Sequence, residues 1–569
     1  MSITPEQVHA KKAEITAAGA VFETQPMQFD GASYRFYTHA PKTLVEVLDA
    51  ARAHGDLEFI VFGDQRLTYN AFFAQVDALA ATLQSEFAIA PGDRIAIAMR
   101  NNPQWAIAFV AGILVGAIVV PINSWGKTEE LRYAIVDSGS RLLVADEPRL
   151  ALIENLLPEL GIAVALVAES AARKETLDAA IHPFDALVAR GSGREFAVPP
   201  MQATDPCLIL YTSGSTGFPK GVLHRHIAVC QSLMNMFFLG YLVMELEGPR
   251  EFRGGAERET PLLTVPLFHA TGLLGGLLLP LQTAQKVVMM YKWDAGEALR
   301  VIQQEKVTGL SSVPAIIQDL LFHPDFDKFD TRSLIRVSAA GAATPAGLPE
   351  LIREKCGEPS RSAGWGMTET MAVGSTMSGA VFDLSPGSAG IVSPIVEMRF
   401  VNPDGVVQDP QTGGEMEVRS ITCTPGYWEK PEANSATFDA ERWMKTGDIA
   451  RIDEQGFLHI TGRIKEIVIR GGENIYPGEI EQAVYEMPEV KENVVFGVPD
   501  DAMGEELALV LHVNPAETLS EEDVRSRLKQ RLAGYKVPRY IHISDTPLPQ
   551  NASGKLHKLR VKEAFLAER

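Results

Sequence analysis

A glycine-rich segment, YTSGSTGFPKG, occupies residues 211–221 and follows the apolar run Cys207–Leu210. Its small residues let backbone N–H groups approach an anion closely, its hydroxyls add donors, and Lys220 adds a positive charge. The segment therefore predicts a strand that runs into a loop binding the phosphates of a nucleoside triphosphate.

The residues on either side of Lys220 distinguish this loop from the commoner phosphate loop. That loop has a glycine directly before its lysine and, directly after it, a hydroxyl that holds magnesium. Here Pro219 precedes the lysine and Gly221 follows it, so a magnesium ligand must come from another segment. Gly214 and Gly217 alone would indicate only a solvated turn, but the whole string favours phosphate binding.

Helical and strand patterns alternate through the first two-thirds of the chain. Apolar runs at Arg94–Ala98, Leu142–Ala145 and Lys286–Met290 are typical of core strands, and Leu67–Leu83 has one apolar helical face. This alternation predicts α/β layers with mainly parallel sheets. A chain of 569 residues also exceeds one compact core, so we expect at least two domains.

One apolar run, Trp105–Ile122, is long enough to be taken for a membrane span. Glycines and a proline interrupt it, and its second half is rich in β-branched residues. We therefore predict a buried helix over about 104–115, a buried strand over 117–120 and no transmembrane segment. The N-terminus lacks the continuous apolar core of a signal peptide, which predicts a cytoplasmic location.

Charge and cysteine content exclude several classes of protein. The formal net charge of −20 argues against nucleic-acid binding, which needs a basic face. The four cysteines form no C-x-x-C pair, which argues against a zinc site and a disulfide scaffold. The sequence leaves the oligomeric state open, with a homodimer among the options.

A second unit is expected after Gly462. Helical patterns at 479–486 and 521–532 alternate with strand patterns at 493–498, 507–513 and 540–543. Ser520 and Asp523 can cap the second helix. These elements predict a small α+β domain of ordinary domain size.

The string YTSGSTGFPKG resembles the glycine-rich loop of the adenylate-forming superfamily, which contains acyl-CoA synthetases, carrier-loading adenylation domains and beetle luciferases. The resemblance extends from about Leu67 to Lys558. It implies a large multi-layer α/β N-terminal domain over residues 1–462 with mainly parallel sheets. It also implies a small mobile α+β C-terminal domain over residues 463–569, with a hinge near 463–465 at Lys465.

The same resemblance implies where ATP and magnesium bind. In the segment GWGMTET, Glu369 matches the family's magnesium ligand and Thr368 its phosphate contact, although a Thr-Glu pair by itself commonly caps a helix. The run of small residues SAAGAA, at 338–343, matches the family's adenine site. The alternative interpretation is that these residues only allow tight packing at the end of a strand. The residues implied for ATP binding are Thr212, Ser213, Gly214, Ser215, Thr216, Gly217, Lys220, Gly341, Ala342, Trp365, Asp448 and Arg463.

Three further segments resemble family sites for the acid and the thiol. Lys555, in the segment PQNASGKLHK, matches a lysine that bridges the acid and the α-phosphate. The family often has arginine three residues later, where this chain has Lys558. Gly471 and Gly472 match a loop that borders the pantetheine of CoA. The alternative interpretation of these two glycines is a simple turn. The residues implied for the acyl pocket are His269, Gly272 and Phe238.

Together these residues predict an enzyme, an AMP-forming acid–CoA ligase that uses ATP, Mg²⁺ and CoA. It would convert a carboxylic acid to an acyl-adenylate, then transfer the acyl group to the thiol of CoA. The segments expected to line the acyl pocket, 234–239, 268–273 and 312–316, are mostly apolar, which favours a medium-chain fatty or aryl-alkanoic acid. The alternatives are a stand-alone adenylation enzyme that loads a carrier-protein pantetheine, a luciferase-like oxygenase and a nucleotide-binding protein without catalysis.

Overall fold

The structure, a computed structural model, describes residues 3–168, 180–212, 219–339, 347–471, 473–500, 503–514, 517–550 and 554–568. In chain order the strands are β1 Thr24–Phe29, β2 Ala32–Tyr37, β3 Glu58–Phe62, β4 Gln65–Thr68, β5 Arg94–Ala98, β6 Ile118–Pro121, β7 Leu142–Asp146, β8 Ala163–Val167, β9 Ile181–Pro183, β10 Pro206–Thr212, β11 Lys220–Arg225, β12 Pro261–Leu263, β13 Val287–Met289, β14 Gly309–Ser312, β15 Arg336–Ala339, β16 Ser362–Trp365, β17 Ser375–Ser378, β18 Ile391–Val392, β19 Val396–Val401, β20 Val407–Gln408, β21 Gly414–Ser420, β22 Met444–Ile452, β23 Leu458–Arg463, β24 Val468–Arg470, β25 Glu473–Ile475, β26 Val490–Asp500, β27 Gly504–Val513 and β28 Tyr540–Ser544. The α-helices are Pro5–Ile15, Leu44–Ala51, Tyr69–Ser85, Pro103–Leu114, Thr128–Ser138, Glu147–Ile153, Leu157–Leu160, Phe184–Gly191, His226–Glu247, Ala270–Leu273, Leu279–Gln282, Ala295–Glu305, Pro314–Leu321, Leu348–Cys356, Ala380–Leu384, Pro431–Thr437, Pro477–Tyr485, Glu521–Arg531 and Lys558–Ala567.

Two large sheets organise the N-terminal part of the chain. One has the order β11-β10-β6-β5-β7-β8-β9, and the other has the order β15-β14-β12-β13-β3-β4. Neighbouring strands are parallel except for the pairs β10–β11 and β3–β4, which are antiparallel. The predicted α/β class with mainly parallel sheets is therefore confirmed.

The helix Pro103–Leu114 lies at the centre of the largest hydrophobic core. Asn102 caps its N-terminus by accepting a hydrogen bond from the Trp105 backbone N–H at 2.8 Å. Trp105 and Phe109 lie one turn apart and stack with ring centroids 5.5 Å apart; truncating either to alanine would cost about 3–5 kcal/mol. The apolar run over 105–122 is thus this helix followed by β6, as its sequence predicts.

Among the described residues, one helix is long and apolar enough to cross a membrane, His226–Glu247, and 61% of its most apolar window is buried in the protein. It packs against the N-terminal helix Pro5–Ile15. Helices buried in a protein core often have the same length and apolar composition, so this helix is only weak evidence for a membrane span.

Two antiparallel sheets lie between the large sheets and the C-terminal part of the chain. Their orders are β16-β17-β18 and β20-β19-β21-β22-β23. In the first sheet, β16 ends at Trp365, within the segment GWGMTET and four residues before the predicted magnesium ligand Glu369. The second pairs β22 with β23 so that Asp448 faces Arg463. These two sheets therefore carry residues of three predicted motifs.

The C-terminal part forms its own small sheet, with the order β25-β24-β27-β26 and with β28 parallel to β27. The predicted capping box is present, because Ser520 and Asp523 each accept a hydrogen bond from the other's backbone N–H. The α+β character of this part is confirmed. The boundary between residues 462 and 463 stays a prediction, and β23 continues across it to Arg463.

Candidate active site

The predicted phosphate loop connects the two strands of a β-hairpin. β10 ends at Thr212 and β11 begins at Lys220, and these two residues face each other in the antiparallel register. The hairpin therefore fixes both ends of the loop and holds Lys220 at its base. The predicted site residues that lie outside the described residues are Ser213, Gly214, Ser215, Thr216, Gly217, Gly341, Ala342 and Gly472.

Lys220 and Glu369 contact opposite parts of one tyrosine. The Lys220 ammonium lies 4.8 Å from the centre of the Tyr427 ring, an arrangement that is worth about 0.5–2 kcal/mol. The Tyr427 hydroxyl donates a hydrogen bond to Glu369 Oε1 at 2.9 Å. Burial, and then the charge of Glu369, raise the pKa of Tyr427, so its hydroxyl stays a donor at neutral pH. The Tyr427 side chain thus lies between Lys220, the predicted phosphate ligand, and Glu369, the predicted magnesium ligand.

The surroundings of Glu369 fit a magnesium ion that is shared with phosphates. Glu369 lies in a short 3-10 turn after β16 and is 8% exposed. The Thr424 backbone N–H donates to its carbonyl oxygen at 2.7 Å, which fixes the backbone. Within the described residues no cluster of three or more His, Cys, Asp or Glu side chains forms. Mg²⁺ is commonly held by one or two carboxylates together with substrate phosphates, so a single carboxylate here suits it.

Asp448 joins two of the other predicted ATP-binding residues. Its Oδ2 accepts a hydrogen bond from Trp365 Nε1 at 2.7 Å, and its Oδ1 lies 2.8 Å from Arg463 Nε. The Asp448 side chain is 2% exposed, whereas the Arg463 side chain is 61% exposed. The buried carboxylate is thus held from two sides, and Arg463 presents its guanidinium at the surface.

Lys555, from the C-terminal part, lies beside residues of the N-terminal part. Gly554 before it has a φ of +78°, and a Cβ at this position would lie 2.7 Å from Val313 Cγ2. Burial, followed by the charge of Arg463, lowers the pKa of Lys555. Burial, followed by the charge of Lys555, lowers the pKa of His269 to about 4. Lys555 is therefore close enough to Arg463 and His269 for the charges to interact, and Gly554 beside it packs against Val313.

Known proteins are similar to this chain in both sequence and fold. Residues 47–428 match the family described as AMP-binding enzyme, and residues 479–555 match the AMP-binding enzyme C-terminal domain. The chain belongs to the AMP-binding enzymes. Feruloyl-CoA synthase of an Amycolatopsis species is 31% identical, over 88% of this chain and 95% of that protein.

The medium-chain acyl-CoA ligase ACSF2, a mitochondrial protein of Rattus norvegicus, is 30% identical to this AMP-binding enzyme, over 96% of this chain and 92% of that protein. ATP-bound MatB from Rhodopseudomonas palustris superposes with a TM-score of 0.77 at 25% identity, over 91% of this chain and 99% of that one. The enzyme is therefore an AMP-forming acid–CoA ligase of the acyl-CoA synthetase branch. It uses ATP, Mg²⁺ and CoA.

Two of the three predicted acyl-pocket residues of this ligase lie on one short segment. His269 precedes the helix Ala270–Leu273, its ring packs 4.4 Å from that of Phe268, and its buried Nε2 contacts no hydrogen-bond partner among the described residues. Gly272 lies so close to the preceding loop that a Cβ would come within 2.2 Å of the Pro266 carbonyl oxygen. A glycine is therefore required for this close packing.

Phe238 of the ligase lies elsewhere. Its ring packs 5.7 Å from that of Phe22 and 6.4 Å from that of Tyr37, in the core between the helix His226–Glu247 and the N-terminal segment. The described contacts do not bring it to His269 or Lys555. Its assignment to the acyl pocket stays a prediction.

The predicted hinge and CoA residues lie within or next to the C-terminal part of the ligase. Lys465 occupies the short turn Ile464–Glu466 that follows β23. The Gly471 backbone N–H donates to the Met503 carbonyl at 2.8 Å, so its described contact is with the same small domain. Lys558 pairs with Glu466 at 2.6 Å and with Glu481 at 2.9 Å, which gives this residue a structural role.

Residues 426–430 of the ligase carry no motif that predicts a function, yet they contact three parts of the site. Tyr427 reaches Lys220 and Glu369, as described above, and the Trp428 backbone N–H donates to the Gly221 carbonyl at 2.7 Å. Lys430 binds Asp137, which also accepts a hydrogen bond from Tyr211. The glycine-aromatic pair in PGYWEK was the one available signal, because it would let a chain turn against a neighbouring strand.

Proposed function

We propose that this ligase activates a medium-chain fatty acid or an aryl-alkanoic acid. The observation that carries the proposal is that Lys555, assigned to bridge the acid and the α-phosphate, lies near His269, while Gly554 before it packs against Val313. The predicted pocket segments 268–273 and 312–316, which contain His269 and Val313, are mostly apolar. Pockets of this kind bind ligands largely through apolar contact, with a few polar groups for orientation. The names of the feruloyl and medium-chain relatives support the same class of acid.

In the proposed first step, a carboxylate oxygen of the acid attacks the α-phosphorus of ATP. A bond forms between them, the bond to the bridging oxygen breaks, and pyrophosphate leaves with its electron pair. Lys220 and Lys555 offset the repulsion between the two anions. Magnesium held by Glu369 supplies positive charge at the phosphates when it is bound. Thr368 contacts the substrate phosphate.

The nucleoside of ATP is assigned to a second group of residues. We propose that Asp448 and Arg463 bind the ribose hydroxyls, while Trp365 holds the Asp448 carboxylate by its indole N–H. The buried carboxylate and the exposed guanidinium support these roles. Thr212 and the loop after it are assigned to the phosphates, and Gly341 and Ala342 to the adenine.

In the proposed second step, the CoA thiol attacks the acyl carbon and AMP leaves. In the present arrangement Lys555 lies near His269, and Gly554 packs against Val313, whereas the described contact of Gly471 is within the small domain. We propose that residues 463–569 turn about Lys465 as one unit, which withdraws Lys555 and brings Gly471 and Gly472 to the site. Residues 1–462 would form the other unit.

A screen of pyrophosphate release across aliphatic and aromatic acids, with ATP and free CoA, tests the substrate class. Medium-chain or aryl-alkanoic acids should give the highest kcat/KM together with acyl-CoA. A preference for acetate or another small polar acid would contradict the proposal. Pyrophosphate exchange without acyl-CoA formation would instead favour loading of a carrier protein.

We also propose a cytoplasmic location. The described structure has all four cysteines as free thiols, which suits a reducing compartment, although the rat relative is named as mitochondrial. Cell fractionation checks the location. Light scattering coupled to gel filtration checks whether the ligase is a homodimer.

A further inference from the structure

We propose that Tyr427 is a positioning residue that couples the phosphate-loop lysine to the magnesium-binding glutamate. Its hydroxyl donates a hydrogen bond to Glu369 Oε1 at 2.9 Å, and the Lys220 ammonium lies 4.8 Å from the centre of its ring. The proposal rests on the function proposed above, because it takes Glu369 as the magnesium ligand and Lys220 as a phosphate ligand.

The backbone of Tyr427 is held on two sides, so its side chain has a fixed origin. Val222 and Tyr427 form an antiparallel bridge next to the hairpin. On the other side, Asn434 Oδ1 accepts from the Tyr427 N–H at 2.6 Å and Asn434 Nδ2 donates to the Tyr427 carbonyl at 3.1 Å. The phenol therefore points from a rigid backbone towards both charged groups.

The direction of the hydrogen bond determines what Tyr427 can do for the glutamate. Among the described residues, Tyr427 is the one side chain that donates to the Glu369 carboxylate, and it does so at Oε1. A donor at one oxygen orients the carboxylate plane and leaves Oε2 for a cation. Loss of such an outer partner of a metal ligand typically weakens metal affinity by about 10- to 100-fold.

The ring of Tyr427 has a separate effect. It holds the Lys220 ammonium by attraction to its π face, and this attraction does not need the hydroxyl. Removal of the hydroxyl alone should therefore disturb Glu369, whereas removal of the whole ring should disturb Lys220 as well. Two substitutions can thus separate the two contacts.

The experiment compares Tyr427→Phe, Tyr427→Leu and a control, Tyr69→Phe, in the full chain. Tyr69 is also a buried tyrosine, and its hydroxyl donates to the Pro280 and Gln285 carbonyls at 2.9 Å, far along the chain from the site. Electron paramagnetic resonance measures binding of Mn²⁺ in the presence of α,β-methylene-ATP. Calorimetry measures binding of the same analogue with EDTA present.

Tyr427→Phe should weaken Mn²⁺ binding by about 10- to 100-fold and leave metal-free binding of the analogue unchanged. Tyr427→Leu should also weaken the metal-free binding, by about 3- to 10-fold. The control should match the wild-type protein in both measurements. The magnesium concentration for half-maximal pyrophosphate exchange should rise in parallel with the Mn²⁺ dissociation constant.

Equal Mn²⁺ affinity in Tyr427→Phe and the control would overturn the proposal. So would an equal loss of metal-free binding in Tyr427→Phe and Tyr427→Leu, because that result would indicate a general disturbance of the fold. A failure of the proposed function would give a different result from a failure of the Tyr427 proposal. The wild-type protein would then bind Mn²⁺ and the analogue but would exchange pyrophosphate with none of the acids tested.

Discussion

Replacing Gly554 with alanine tests whether Lys555 reaches the site through close packing against the N-terminal part. The new Cβ would lie 2.7 Å from Val313 Cγ2, well inside the roughly 3.5–4.0 Å at which two carbon atoms normally pack. The positive φ of Gly554 adds about 1–2 kcal/mol of backbone strain for alanine. That strain is local, so it is present whichever way the small domain is turned, whereas the clash with Val313 exists only in the present arrangement.

The clash sets the size of the expected effect. Adding a methyl group where the atoms are already closely packed typically costs about 1–3 kcal/mol. Because each 1.36 kcal/mol changes a rate tenfold, adenylate formation should slow by about 5- to 150-fold. Acyl-CoA formation from a supplied acyl-adenylate should keep its rate, since Lys555 and Gly554 are expected to leave the site for that step.

Two half-reaction assays and one compensating substitution check this reasoning. Pyrophosphate exchange reports on adenylate formation, and thioester formation from a synthetic acyl-adenylate reports on the second step. Val313→Ala removes the clashing methyl groups, so the double variant should recover most of the lost exchange rate, as a double-mutant cycle would quantify. Equal slowing of both half-reactions, or no recovery in the double variant, would refute the contact as the cause.

The remaining predictions concern three other features of the site and core. Lys555→Ala should lower adenylate formation by at least about 100-fold and spare thioester formation; equal loss in both assays would contradict its assigned role. Trp365→Phe removes the 2.7 Å hydrogen bond to Asp448, so calorimetry should show ATP binding weakened by about 10- to 100-fold, and unchanged affinity would show that the indole N–H is dispensable. Burial lowers the pKa of both His224 and His226 to about 4. Their contribution to stability is complete above about pH 6.5 and is lost as the pH falls towards 4, at about 2 kcal/mol each by pH 5. Urea unfolding at pH 7 and pH 5 measures the loss, which should be smaller in His224→Asn and would be absent if the buried rings were already charged.

Local patterns in the sequence predicted much of the fold. The strand Arg94–Ala98 has the predicted bounds, and the helix predicted over 521–532 ends one residue earlier, at Arg531. Both succeed because period and capping depend on neighbouring residues. The strand predicted over 117–120 is observed one residue later, at Ile118–Pro121, because the ends of an element depend on what its last residues pack against.

Contacts between distant segments were not predictable in the same way. The motifs indicated Trp365 and Asp448 separately, but not that one donates a hydrogen bond to the other across 83 residues. Around Tyr427 the sequence offered only the glycine-aromatic pair in PGYWEK, because the contacts of this residue depend on where the strand beside it places the backbone. Such pairings follow from tertiary packing, which the order of residues in one sequence does not reveal.

The ion pairs of Lys558 have a mechanical consequence. They connect the first turn of the last helix to Glu466, in the turn predicted to be the hinge, and to Glu481 on a neighbouring helix. In the proposed rotation about Lys465, these ion pairs would make the last helix, and Lys555 close before it, move together with residues 464–466. The distance by which Lys555 leaves the proposed site would then depend directly on the angle of that rotation.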